Sequence, residues 1–141
     1  MRAGQTAVMQ ENVGARIREL LALAGAMDVE GMARYLAPDV VMELPYAPPP
    51  LPRRYDGLSA VLGFQRLAAG LFSSFAIEVE RVHVVENAQV VVAEFRSEGV
   101  VAESGRPYRN RYVTVFELDP SGRVRRWREF YDPAAVQAAF G

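Results

Sequence analysis

The stretch YRNRYVTVFELDPSGRVRRWREFYDP, Tyr108 to Pro133, decides the fold. In its first half Tyr108, Asn110, Tyr112, Thr114, Phe116 and Leu118 share one parity, and Arg109, Arg111, Val113, Val115 and Glu117 share the other. Successive side chains of a strand point to opposite faces, so this run is a strand with one aromatic face and one arginine-bearing face. Asp119-Pro120-Ser121-Gly122 has turn composition. Val124 to Tyr131 is the next strand, with Trp127, Glu129 and Tyr131 on one face and Arg126, Arg128 and Phe130 on the other. Asp132-Pro133 then opens a short last helix, aspartate as its N-cap and proline at its first position.

Working back, Val90 to Val101 and Phe75 to Val85 are two more strand runs. Glu103-Ser104-Gly105-Arg106 and Glu86-Asn87 are the turns that join the strands. His83, the single histidine, shares parity with Ile77, Val79 and Val85 and is expected to face the core as a hydrogen-bonded structural residue. Earlier still the period changes. Val13, Ile17, Leu20, Leu21 and Ala24 recur at helical spacing, which predicts a helix over Met9–Ala24. Asp28 reads as the N-cap of a short helix carrying Met32, Tyr35 and Leu36, stopped by Pro38. Val40 to Leu44 reads as a strand. Pro45 to Pro52 holds five prolines in eight residues and must be an extended loop, here read as a lid. Asp56-Gly57 leads into a third helix over Leu58–Phe72.

Helices followed by four consecutive antiparallel strands make an α+β domain, with the helices on one face of a curved sheet. Residues 1–8 read as a flexible N-terminus and 9–141 as one domain.

Composition removes whole classes of chemistry. The 141 residues include no cysteine and one histidine, so thiol nucleophiles, zinc–thiolate sites and multi-histidine metal sites are excluded, and no metal is expected. All 16 basic residues are arginine, which excludes a Schiff-base lysine and a phosphate-loop lysine. The formal charge of −1 gives no general pull toward nucleic acid or anionic lipid, and neither is expected as a partner. No apolar run has transmembrane length and Met1 to Gln10 carry no apolar signal region, so the reading is a cytoplasmic protein. No dinucleotide fingerprint is present, and no cofactor is expected, although a flavin or haem merely filling a cavity stays open.

If Trp127 faces the helices, Glu129 goes with it. A carboxylate between aromatics is desolvated, and its pKa rises toward the range useful for a base near neutral pH. An ordinary buried hydrogen bond would explain the same residue. Asn110 and Tyr112 share that face on the neighbouring strand and are expected to orient the carboxylate or to bind a carbonyl oxygen. Arg53 and Arg54 would meet an anionic ligand at the mouth of a pocket, or simply solvate. Arg109, Arg111, Arg126 and Arg128 fall on the opposite face of two paired strands, where like charges repel unless carboxylates intervene; Glu94 is one candidate.

These residues also carry a resemblance. Ala26-Met27-Asp28-Val29-Glu30-Gly31, Leu36-Ala37-Pro38-Asp39-Val40, Gly57, and the hairpin from Asn110 through Gly122 to Pro133 resemble the nuclear transport factor two-like superfamily. Its SnoaL-like and ketosteroid isomerase-like members are the nearest in pattern, and Arg128-Glu129-Phe130-Tyr131-Asp132-Pro133 is similar to the phenazine-biosynthesis A/B proteins. The resemblance implies a cone-shaped α+β barrel enclosing a pocket, and homodimers packed through the convex sheet face. It implies no ketosteroid isomerase mechanism, because the three polar positions of that enzyme fall on Leu44, near Leu20 and near Thr114. Glu129 matches the acid–base glutamate of the phenazine-type proteins, while their helix histidine falls near Phe64.

The expectation is therefore a cofactor-independent small-molecule enzyme of isomerase or cyclase type. Glu129 is its general acid/base, Tyr112 and Asn110 donate or orient hydrogen bonds, and Trp127, Leu44, Tyr46 and Phe64 shape the pocket. The alternatives are a non-catalytic binding homodimer and a purely structural homodimer with a collapsed pocket.

Overall fold

The computed structural model describes residues 3–85 and 87–141. Helix α1 (Ala3–Gly25) is followed by α2 (Val29–Met32), a 3-10 turn (Ala33–Tyr35), β1 (Leu36–Glu43), β2 (Arg54–Asp56) and α3 (Leu58–Gly70). Then come β3 (Phe72–Val85), β4 (Val90–Val101), β5 (Pro107–Leu118), β6 (Val124–Tyr131) and α4 (Pro133–Phe140). The strands form one sheet in the order β2-β1-β6-β5-β4-β3. All neighbours are antiparallel except β1 and β6. The α+β class and the four long meander strands are as expected.

Several boundaries differ, each for a physical reason. Helix α1 begins at Ala3, not Met9. No proline lies in that segment, and extending a helix anchored by packing costs far less than nucleating one, even across Gly4. The helix after Asp28 ends sooner than expected. Asp28 does cap it, accepting from the Gly31 N–H at 2.9 Å. Leu36 already belongs to β1, and Pro38 lies inside that strand instead of ending a helix. The β1–β6 register shifts between Leu36 and Val41, so the missing N–H of Pro38 falls in an irregular stretch where no ladder bond is lost. Helix α3 stops at Gly70, and Phe72, expected at its end, opens β3 opposite Val101. Strand β2 was not foreseen, because three residues beside a proline loop carry no period. Of the Glu86-Asn87 turn, Glu86 lies outside the described residues, and Asn87 takes φ 55°.

The largest correction concerns His83. The β3–β4 register shifts between Val79 and Arg81, so one extra residue reverses the parity beyond it. Val82 and Val84 pack on the core, while His83 is about half exposed and meets the Glu94 carboxylate at 2.8 Å.

The core lies between the inner face of the sheet and α1. Ile17, Leu20 and Leu21 of α1 pack with Phe95, Phe116 and Trp127. Alternation along β5 holds throughout, with Tyr108, Asn110, Thr114, Phe116 and Leu118 buried. The outer-face arginines are each matched to a carboxylate, Arg109 to Glu98, Arg111 to Glu80, Arg126 to Glu43 and Arg128 to Glu117. Among the described residues no helix is long and apolar enough to cross a membrane.

Candidate active-site cavity

The inner face of the sheet, α3, α4 and the proline loop enclose a cavity of about 640 Å³. Its walls are almost wholly apolar, built from residues such as Leu21, Leu44, Phe64, Phe95 and Trp127. Among the described lining residues Glu129 is the one charged side chain. Ala47, Leu51 and Pro52 of the proline loop are on the wall. Val136 and Phe140 of α4 line it as well.

Glu129 is delivered by β6. Trp127, two residues before it, sits on the same face and donates its indole N–H to Glu129 Oε1 at 3.3 Å. Thr114 stands directly opposite in the β5–β6 register and donates its hydroxyl to the same oxygen at 3.4 Å. Both bonds are long, so they compensate little for lost water. Burial therefore dominates and pushes the Glu129 carboxyl up from 4.5 to about 7, the Trp127 and Thr114 bonds pulling weakly the other way.

Next to Glu129 lies a row of hydroxyls. Ser97 Oγ and Tyr112 Oη are 2.8 Å apart, and Tyr112 Oη and Tyr108 Oη are 2.9 Å apart. Tyr112 is stacked on Phe95 with ring centroids 4.6 Å apart. Burial raises the pKa of both Tyr108 and Tyr112 and holds them neutral, while Tyr131, also on the cavity wall, is pushed to about 12.

Five of the seven residues singled out from the sequence line the cavity: Glu129, Tyr112, Trp127, Leu44 and Phe64. Asn110 does not. Its amide is wholly engaged, donating to Tyr108 Oη (2.9 Å) and the Asp132 carbonyl (3.0 Å) and accepting from the N–H groups of Arg111 (2.8 Å) and Asp132 (3.0 Å). It ties β5 to the start of α4 and sets the tyrosine row from behind. Tyr46 does not line the cavity either. It is 53% exposed and lies edge-on against Phe130, which belongs to the outer parity of β6. Ala47, Leu51 and Pro52 of the same loop line the cavity, while Tyr46 packs on Phe130 instead. The carboxylate is oriented by Thr114 and Trp127, not by Tyr112 and Asn110. Tyr55 and Gln65, also on the wall, were missed. Tyr55 packs on Phe64 with centroids 4.6 Å apart, and its inward parity follows from β2, which the sequence hid.

With this geometry in hand, the kinship is decided by sequence. The model of the SnoaL-like domain matches residues 17–137. This chain belongs to the SnoaL-like family. A relative, the uncharacterised protein YesE of Bacillus subtilis strain 168, is 30% identical over 125 residues, 89% of this chain and 84% of the relative. A crystal structure from Bacillus subtilis, provisionally described as an isomerase, is 32% identical with a TM-score of 0.77, covering 94% of this chain and 95% of that one. A phenazine biosynthesis-related protein of Pseudomonas aeruginosa has the same fold at 16% identity, with a TM-score of 0.80 over 96% of this chain and 89% of its own. The SnoaL-like, nuclear transport factor two-like resemblance read from the sequence is thus correct, and the fold is shared with that Bacillus subtilis structure and, at 20% identity and a TM-score of 0.78 over 93% of this chain and 92% of that one, with a Jannaschia protein provisionally described as a SnoaL-like polyketide cyclase.

Proposed function

We propose that this SnoaL-like chain is an enzyme of isomerase or cyclase type that moves a proton on an apolar, carbonyl-bearing small molecule, with Glu129 as its acid/base. One observation carries the reading: a single carboxylate, with its pKa near 7, in the wall of an apolar cavity large enough for a metabolite. Near neutral pH both protonation states are populated, so the same group takes a proton from the carbon next to a carbonyl and returns it at another carbon.

The carbonyl oxygen gains charge as that proton leaves and needs a donor. Proton counting supplies one. Three hydroxyls stand in the Ser97–Tyr112–Tyr108 row, and their two mutual links use two protons. Asn110 donates into Tyr108 and takes none of them. The third hydroxyl proton is left over, and Tyr108 and Tyr112 are the members of the row on the cavity wall. When Ser97 donates toward Tyr112, the spare proton is carried by one of these two wall tyrosines, available to a carbonyl oxygen in the cavity. The tyrosines stay neutral throughout, donating a hydrogen bond without being ionised.

Hydrogen–deuterium exchange tests this. Cyclic ketones incubated with the protein in D₂O are expected to gain deuterium next to the carbonyl, at a rate that rises through about pH 7 and then levels. Glu129→Gln is expected to abolish the exchange while the far-ultraviolet circular dichroism is kept. Full exchange by that variant would end the assignment.

One observation favours a second reading, a non-catalytic binding protein: Phe64 and Leu44 leave Glu129 with no second carboxylate or imidazole among the described wall residues. Tight ligand binding with no exchange in the wild-type protein would select it. In either reading the chain works as a homodimer through the charged outer face of its sheet, which sedimentation at moderate salt tests. The collapsed-pocket alternative is disfavoured by the open cavity.

A further inference from the structure

The rim of the cavity carries a cation that the proton-transfer scheme does not use. In the β1–β2 pair Met42 faces Tyr55 and Glu43 faces Arg54, and the Leu44 N–H donates to the Arg53 carbonyl at 2.9 Å. Leu44 and Tyr55 are on the cavity wall; Arg53, one residue before β2 and two before Tyr55, shares the parity of Tyr55, which sets it toward the cavity side at the exposed rim, outside the wall itself, with Arg54 toward the outer side. Their partners agree with this. Arg54 is bound to Asp56 at 2.9 Å on the outer face. Arg53 has no carboxylate partner among the described residues. Its Nε donates instead to the carbonyl of Ala47, a wall residue, at 2.9 Å. That bond holds the guanidinium against the proline loop at a residue of the cavity wall, and leaves the edge formed by its two Nη groups unengaged among the described residues. Two parallel N–H donors in one plane match the two oxygens of a carboxylate. The charge reaches inward as well, since Arg53 acts electrostatically to lower the Tyr131 pKa against the effect of burial.

We infer that Arg53 is an anion subsite at the cavity mouth, and that the ligand is a ring-bearing apolar molecule carrying one carboxylate, held at the rim by the Arg53 fork with its apolar body against the cavity walls. The inference rests on the cavity being a ligand site, but not on Glu129 being catalytic.

A matched pair of fluorescent probes tests it. Anilinonaphthalene sulfonate carries the rings and one anion, and N-phenylnaphthylamine carries the same rings without the charge. The wild-type protein is expected to bind the sulfonate about tenfold more tightly than the neutral probe. Raising salt from about 0.05 M to about 0.5 M should weaken the sulfonate alone. Arg53→Gln should erase the preference and leave the affinity for the neutral probe unchanged. Arg53→Lys should keep part of it, and Arg54→Gln should keep all of it. An Arg53→Gln variant with an unchanged ratio of the two affinities overturns the subsite. Loss of both probes in a variant with wild-type circular dichroism also overturns it, since it assigns Arg53 to the shape of the cavity and not to charge. If neither probe binds the wild-type protein, the cavity reading falls and the subsite with it. The deuterium-exchange test on Glu129 is separate, so catalysis can fail while the anion preference stands.

Discussion

Replacing Glu129 by glutamine should make the protein more stable above neutral pH, by an amount the structure sets. In the folded chain the carboxyl titrates near 7 against 4.5 in a solvated reference, because the cavity wall offers it only two long hydrogen bonds in place of water. A folded-state pKa raised above the unfolded one means that the unfolded chain ionises first. Stability is then complete below pH 4.5 and is lost as the pH climbs to 7, after which the loss is constant. The interval from 4.5 to about 7, at about 1.4 kcal/mol per pH unit, amounts to about 3 kcal/mol. For a domain of this size that corresponds to a melting shift of roughly 10 °C. Glutamine keeps the shape and an acceptor for Trp127 and Thr114, but it cannot ionise. Urea unfolding of the two proteins from pH 4 to pH 8 isolates the effect, since every other titrating group cancels in the difference. The curves should coincide near pH 4 and separate in favour of Glu129→Gln up to pH 8. Parallel curves over the whole range would refute the claim that this carboxylate is desolvated by the fold.

Two further outcomes probe the scaffold around the site. Asn110→Ala removes a buried amide that makes four hydrogen bonds and should cost about 2–4 kcal/mol in chemical denaturation, with faster amide exchange at the start of α4, whose Asp132 it holds. Unchanged exchange at Ala134 and Ala135 would show that the tie does not anchor the helix. Gly99→Ala builds a Cβ 2.8 Å from the Ser74 carbonyl oxygen across the β3–β4 pair, a backbone contact that cannot swing aside, and should lower stability by about 1–3 kcal/mol in the same assay. A neutral result there would mean the two strands separate freely at that end.

Much of this arrangement was legible in the chain because it is local. The alternation from Tyr108 to Leu118 and from Val124 to Tyr131 assigns each side chain a face without reference to anything distant, and the turns at Ser121-Gly122 and Ser104-Gly105 pair the strands in sequence order. That was enough to send Glu129, Trp127 and Tyr112 inward together and to expect a raised pKa for the glutamate. Tertiary structure decided whatever depends on a partner far along the chain. The register shift after Val79 turned His83 outward, and it is visible only once β3 is laid against β4. Strand β2 exists because β1 supplies the other half of its hydrogen bonds, and with it came the inward position of Tyr55. Asn110 and Tyr46 shared the right parity or the right loop, yet the start of α4 claimed the amide and Phe130 on the outer face claimed the ring. A side chain's face is written in its own strand; the atoms it bonds to are set by which segments the fold brings against it.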